Sequence, residues 1–278
     1  MTLKLVSLGS SYASGPGIPP VVDKAARRSG SNYAHVLASR LGASLTDLSV
    51  SAATLDNITH DAQVSRGKTF PPQIEGVPVD ADIIMLLGGG NDMGYVLPLF
   101  IECFTAHLST RLLWRLASFF KKTPKPQSLD EHAVTERYER TLDAIHDRAP
   151  NAHIIVVEYL TVLSNGVNET GLPLRPERLD HYRDIAAALQ RATANAADQP
   201  LRKDWCTRVH VAKASEAHGL GTSQPWMRGF SRRLFCKIGG GVLHPNKEGM
   251  AAVADLISEH VHNLPDAAVK QKLHDSGA

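Results

Sequence analysis

A chain of 278 residues with 43% hydrophobic and 21% charged side chains can fold as one large α/β domain or at most two small ones, and its composition is ordinary for a globular protein. A formal net charge of +2 without a long Lys/Arg run excludes a nucleic-acid-tracking surface, and no run of about 18 apolar residues offers a membrane span. Met1 to Leu8 runs straight into a strand pattern without the features of a secretory signal, so a cytoplasmic location is expected.

In chain order, residues 3–8 are short and apolar and run into a Gly/Ser/Pro loop, which predicts a first strand. Tyr33, Val36, Leu37 and Leu41 fall at helical spacing, with Ser31 as the expected cap and Gly42 as the stop. A second strand is expected at 44–50 and a third at 82–87. The third is apolar on both faces, as a strand between helix layers should be. Residues 96–121 are apolar with scattered basic residues, and two prolines between 123 and 127 break that pattern. A helix is expected from about 130 to 148, a fourth strand at 152–158, a helix from about 176 to 197 and a fifth strand at 207–212. The last helix should run from near Asn246 to about 263, ahead of a frayed polar tail at 265–278. Strands alternating with helices imply a three-layer α/β/α domain with a parallel, flavodoxin-like sheet of about five strands. One domain over 1–264 is expected, with 96–127 as a candidate lid or pocket wall.

Three cysteines, Cys103, Cys206 and Cys236, make no disulfide framework and fit no zinc spacing. Cys206 and Cys236 could pair, but reduced thiols are the expectation.

Working groups in parallel sheets sit at the carboxyl ends of strands, and three chemistry-bearing segments fall there. Gly9-Ser10-Ser11-Tyr12 through Gly15 follows the first strand, Ser49 to Thr54 the second, and Gly89-Gly90-Asn91-Asp92 the third. A fourth, Leu243-His244-Pro245-Asn246, precedes the last helix. A hydroxyl at a sharp turn, an imidazole to take its proton, and N–H donors for a developing oxyanion are the parts of acyl transfer.

The four blocks in this order resemble the SGNH hydrolases, also called GDSL esterases, over residues 9–250. The resemblance implies Ser11 as nucleophile and His244 as base. It also implies an oxyanion hole from the Ser11 and Ala52 N–H groups and the Asn91 amide. No metal or organic cofactor is implied, and the substrate would be a small-molecule ester. Asp92 reads as a loop brace. Three positions depart from the family pattern. Ser10 stands for the Asp of the first block, Ala52 for a Gly, and Gly241 for the acid that orients the His. A Ser–His dyad with His244 held by a backbone carbonyl near Gly241 or Val242 is therefore expected. Glu216 is the alternative orienting group.

Tyr12, Trp226 and Phe230 are candidate substrate contacts, Trp226 and Phe230 with ordinary packing as the competing reading. Lys121-Lys122 and Arg232-Arg233 read as solvated surface. The missing acid keeps open a non-catalytic binding protein on the same fold, and the same parts serve an acyltransferase or thioesterase. A nucleotide-binding loop is disfavoured because Gly9 to Gly17 is neither G-x-G-x-x-G nor a P-loop.

Overall fold

The computed structural model describes residues 2–106, 128–230 and 241–276, and among them lie nine strands. In chain order these are β1 (Lys4–Gly9), β2 (Val21–Asp23), β3 (Arg28–Ser29), β4 (Ser44–Asp47), β5 (Gln63–Ser65), β6 (Lys68–Phe70), β7 (Ile83–Leu87), β8 (His153–Val157) and β9 (Cys206–Val209). Five of them form a parallel sheet in the order β4-β1-β7-β8-β9. Counting only these strands, the order is 2-1-3-4-5, the flavodoxin-like doubly wound arrangement, with its switch point between β1 and β7. Every residue of β7 and β8 is buried, as the unbroken apolar run at 82–87 predicts for strands covered on both sides.

The helix Tyr33–Arg40 packs with Lys247–Asn263, and Glu131–Arg148 packs with Pro176–Ala197. Right-handed crossovers put the first pair on one face of the sheet and the second pair on the other. Polar side chains start the helices. Asp130 accepts from the Ala133 N–H, and Asn246 accepts from the Gly249 N–H at 2.7 Å. Each cap of this kind contributes about 1 kcal/mol.

Four expectations are corrected. The helix after β1 is capped by Asn32, whose side chain accepts from the His35 N–H, and not by Ser31. The second strand ends at Asp47, whose carboxylate takes the Ser49 N–H and hydroxyl and turns the chain. The fifth strand ends at Val209, and Val211–Ala214 is helical. The tail is a helix, Ala267–Ser276, because Val269 and Leu273, four residues apart, bury one face. Lys272 pairs with Asp82 at 2.6 Å.

The hairpins β2–β3 and β5–β6 were not anticipated. Arg66 and Gly67, both left-handed at φ 48° and 79°, form the two-residue turn between β5 and β6. The apolar stretch after Asn91 begins as a helix, Val96–Ala106. The remainder of the expected lid, Lys121-Lys122, Arg232-Arg233 and Cys236 lie outside the described residues. Cys103 and Cys206 are buried free thiols. Among the described residues, no helix is long and apolar enough to cross a membrane.

Candidate active site

The chain leaves β1 through Gly9, at φ 141°, into a short helical turn, Ser11–Ser14. A Cβ on Gly9 would stand 2.1 Å from the Leu87 carbonyl oxygen, so only glycine lets β1 run against β7 up to Ser11. The Gln73 side chain clamps the same residue. Its Oε1 accepts from Gly9 N–H at 2.8 Å and its Nε2 donates to Gly9 O at 3.0 Å.

Ser11 and His244 are 233 positions apart in sequence, and their Oγ and Nε2 atoms stand 2.8 Å apart. The other ring nitrogen, Nδ1, lies 2.8 Å from the Val242 carbonyl oxygen. A carbonyl oxygen can only accept, so Nδ1 carries the proton and Nε2 is left free to take one from Ser11. Glu216 does not orient this ring. Its carboxylate accepts from the Asn165 N–H at 2.7 Å. Gly241 sits at φ 69°, and a Cβ there would stand 2.3 Å from the Pro16 carbonyl oxygen. The position that bears an acid in the resembling family has no room for any side chain here.

The loop around His244 is set by short backbone bonds. Leu243 N–H donates to Arg228 O and Arg228 N–H donates to His244 O, both at 2.9 Å. Leu243 is itself left-handed at φ 59°, a conformation that costs a non-glycine residue about 1–2 kcal/mol. Although the ring keeps some open surface, the packed walls around His244 push its pKa down to about 4. Arg27 and Arg228 push in the same direction, against the raising effect of the Val242 carbonyl. The imidazole is therefore neutral at physiological pH, as a base must be.

The second and third blocks come to the same place. Ser51 Oγ and Ser14 Oγ are 2.9 Å apart, which ties the loop after β4 to the turn that carries Ser11. Ala52 is exposed between two buried neighbours and is left-handed at φ 69°. That conformation explains why a Gly is the usual residue at this position. Asn91 Nδ2 donates to Ala53 O at 2.8 Å, which leaves its second N–H for another acceptor. Asp92 braces the loops. Its carboxylate accepts from Leu55 N–H and from Arg137, and burial raises its pKa to about 6.

The three candidate substrate contacts divide. Tyr12 is completely buried, and its hydroxyl donates to Leu243 O at 2.8 Å, so it belongs to the frame of the site and not to its surface. Trp226 stacks on His218 with ring centroids 4.0 Å apart, and its carbonyl accepts from Asn246 N–H. It holds the start of the last helix. Phe230 meets Phe100 of Val96–Ala106 at 6.5 Å between centroids, and Phe100 stacks in turn on Phe104 at 6.4 Å.

Sequence reasoning missed two residues. Gln73 carried no local signal, because its role depends on a contact with Gly9 across 64 positions. Tyr159 did carry one, since it stands two positions past the end of β8, at the carboxyl end of the sheet.

Comparison with known proteins places the chain in a family. Residues 7–252 match the family described as GDSL-like lipase/acylhydrolase. Lipase 2 of Streptomyces coelicolor is 28% identical over 264 residues, covering 91% of this chain and 84% of that protein. Lipase 1 of the same organism is 24% identical over 227 residues, covering 80% and 74%. The extracellular lipase of Streptomyces rimosus shares the fold at a TM-score of 0.64 and 20% identity, over 93% of this chain and 99% of that one. Phospholipase A1 of Streptomyces albidoflavus NA297 shares it at 0.65 and 19% identity, over 94% and 99%. This chain belongs to the GDSL-like lipase/acylhydrolase family and is a carboxylic ester hydrolase.

Proposed function

We propose that the chain hydrolyses esters through an acyl-enzyme on Ser11, with His244 as the only ionisable partner of the nucleophile among the described residues. The observation that carries this reading is the pair of 2.8 Å contacts on the two nitrogens of His244, to Ser11 Oγ and to Val242 O. Ser11 Oγ attacks the ester carbonyl carbon while Nε2 takes its proton. The oxyanion is held by the N–H groups of Ser11 and Ala52 and by the Asn91 amide. The tetrahedral adduct collapses, Nε2 hands its proton to the departing alcohol oxygen, and Ser11 keeps the acyl group. Water then repeats the sequence, releasing the carboxylic acid and restoring the serine. The Val242 carbonyl dipole stabilises the transient imidazolium, the part that a carboxylate takes in a triad.

The acyl chain is apolar and of medium to long length. Phe100, Phe104 and Phe230 form a half-buried aromatic wall between the segment that follows Asn91 and the strand-like segment paired with His244. Relatives at 28% and 24% identity carry the name lipase.

A fluorophosphonate probe should label the wild-type protein on Ser11, and Ser11→Ala should abolish the label with the fold intact by circular dichroism. A series of nitrophenyl esters should show kcat/KM rising from acetyl to octanoyl. Strict preference for acetyl would overturn the acyl-chain assignment, and an unlabelled wild-type protein would overturn the catalytic one.

A further inference from the structure

We propose that Tyr12 and Tyr159 are positioning residues, a buried aromatic pair that sets the Ser11–His244 separation in a site without an orienting carboxylate. The proposal rests on the Ser–His reading given above.

Each contact of the pair falls on a residue next to a reacting one. Tyr12 follows Ser11, and its hydroxyl donates to the carbonyl of Leu243, which precedes His244, at 2.8 Å. One hydrogen bond therefore joins the immediate neighbours of nucleophile and base. Tyr159 OH lies 2.7 Å from the hydroxyl of Ser10, which precedes Ser11. Its ring lies against Gly90, which precedes Asn91, so closely that a Cβ there would stand 2.6 Å from the ring. The two tyrosine rings pack on each other with centroids 4.4 Å apart, and the Tyr12 ring is 5.4 Å from the His244 ring. Three catalytic loops thus converge on two side chains.

Buried tyrosines commonly give their hydroxyl to the nearest carbonyl for reasons of solvation alone. Two features here go further. Gly241 has no room for a side chain, so no carboxylate can fix the imidazole from that position. The ring is aimed instead by Val242 O, an atom whose place depends on the path of the loop from Gly241 to Leu243. That loop holds a left-handed Leu243, which must be retained by its surroundings. Tyr12 supplies the anchor. Ser10, which stands for the family's Asp, is in turn held by Tyr159. Misplacement of reacting atoms by about 1 Å costs on the order of 10²-fold in rate, so a frame one residue removed from the chemistry acts on kcat.

The test uses Tyr12→Phe and Tyr159→Phe, which keep both rings and remove the hydroxyls, with Ser10→Ala to break the second contact from its smaller side. Steady-state hydrolysis of a nitrophenyl ester, the rate of fluorophosphonate labelling and the melting temperature are measured on the full chain. The expected result is a 10- to 100-fold fall in kcat with KM within about two-fold. Labelling should slow in parallel, and Ser10→Ala should match Tyr159→Phe. Melting should shift by only a few degrees. The proposal is overturned if the variants keep kcat and labelling within two-fold. It is equally overturned if their lost activity only tracks the fraction of unfolded protein. Failure of the wild-type protein to label at Ser11 overturns the underlying Ser–His reading, and the frame with it.

Discussion

His244 owes its neutral state to what surrounds it, and among the described residues no acid is paired with it. Burial, with the nearby positive charges of Arg27 and Arg228, holds its pKa near 4, while the Val242 carbonyl works the other way. On the proposed mechanism a neutral imidazole is the active form, so kcat/KM should fall as pH drops through about 4 and stay level above it. Removing a cation removes repulsion of the imidazolium. Arg228→Gln should therefore move the acid limb upward, toward the usual 6.5 for histidine. A pH–rate profile on a neutral nitrophenyl ester checks both statements, and an unmoved limb in the variant would show that Arg228 does not reach the ring. The Ala52 and Leu243 conformations, both left-handed, show the same economy of local strain at the site, where surroundings over-determine backbone that is poor in isolation.

Among the elements, the most exposed to a single change is the end of β1. Gln73 satisfies both backbone groups of Gly9 from a short helical turn, Gln73–Gly76. Gln73→Ala would leave the buried Gly9 N–H without its partner, while the Gly9 carbonyl keeps the Val50 N–H at 3.1 Å, at a cost of about 1–3 kcal/mol. Urea unfolding should show this as a lower midpoint at constant slope. The elements that could be read from sequence are those with a repeated pattern. β7 and β8 are continuous apolar runs, and the helices Glu131–Arg148 and Pro176–Ala197 are long enough for their period to stand out. β2, β3, β5 and β6 are two or three residues each, too short for any period. The tail helix was hidden because, among its described side chains, only Val269 and Leu273 are buried against a polar background. The segments that bring Ser11, Asn91 and His244 forward were legible because glycine, serine and asparagine cluster at the ends of β1 and β7 and His244 stands just before a helix start. Gln73 was not, because only the folded chain brings it to Gly9.

At the scale of the whole molecule, the same burial that tunes the site makes the fold sensitive to acid. His153 and His244 both have pKa values lowered from 6.5 to about 4. In that window the unfolded chain binds protons that the folded chain refuses, so stability falls as pH drops from about 6.5 to about 4. Below about 4 both states are protonated and this contribution levels off. Melting curves across that range should show a decline from these histidines, and His153→Gln should reduce it. His153 bonds through Thr207 to His260, at 2.8 Å and 2.7 Å, at a distance in sequence from the reactive loops.

The joining of Ser11 to a partner 233 positions later has a consequence for biosynthesis. A ribosome releases Ser11 first and His244 only 233 residues later. A nascent chain halted before His244 carries a serine without the imidazole proposed to take its proton. On the proposed Ser–His mechanism, activity therefore begins only once the segment bearing His244 has been made and folded against Ser11.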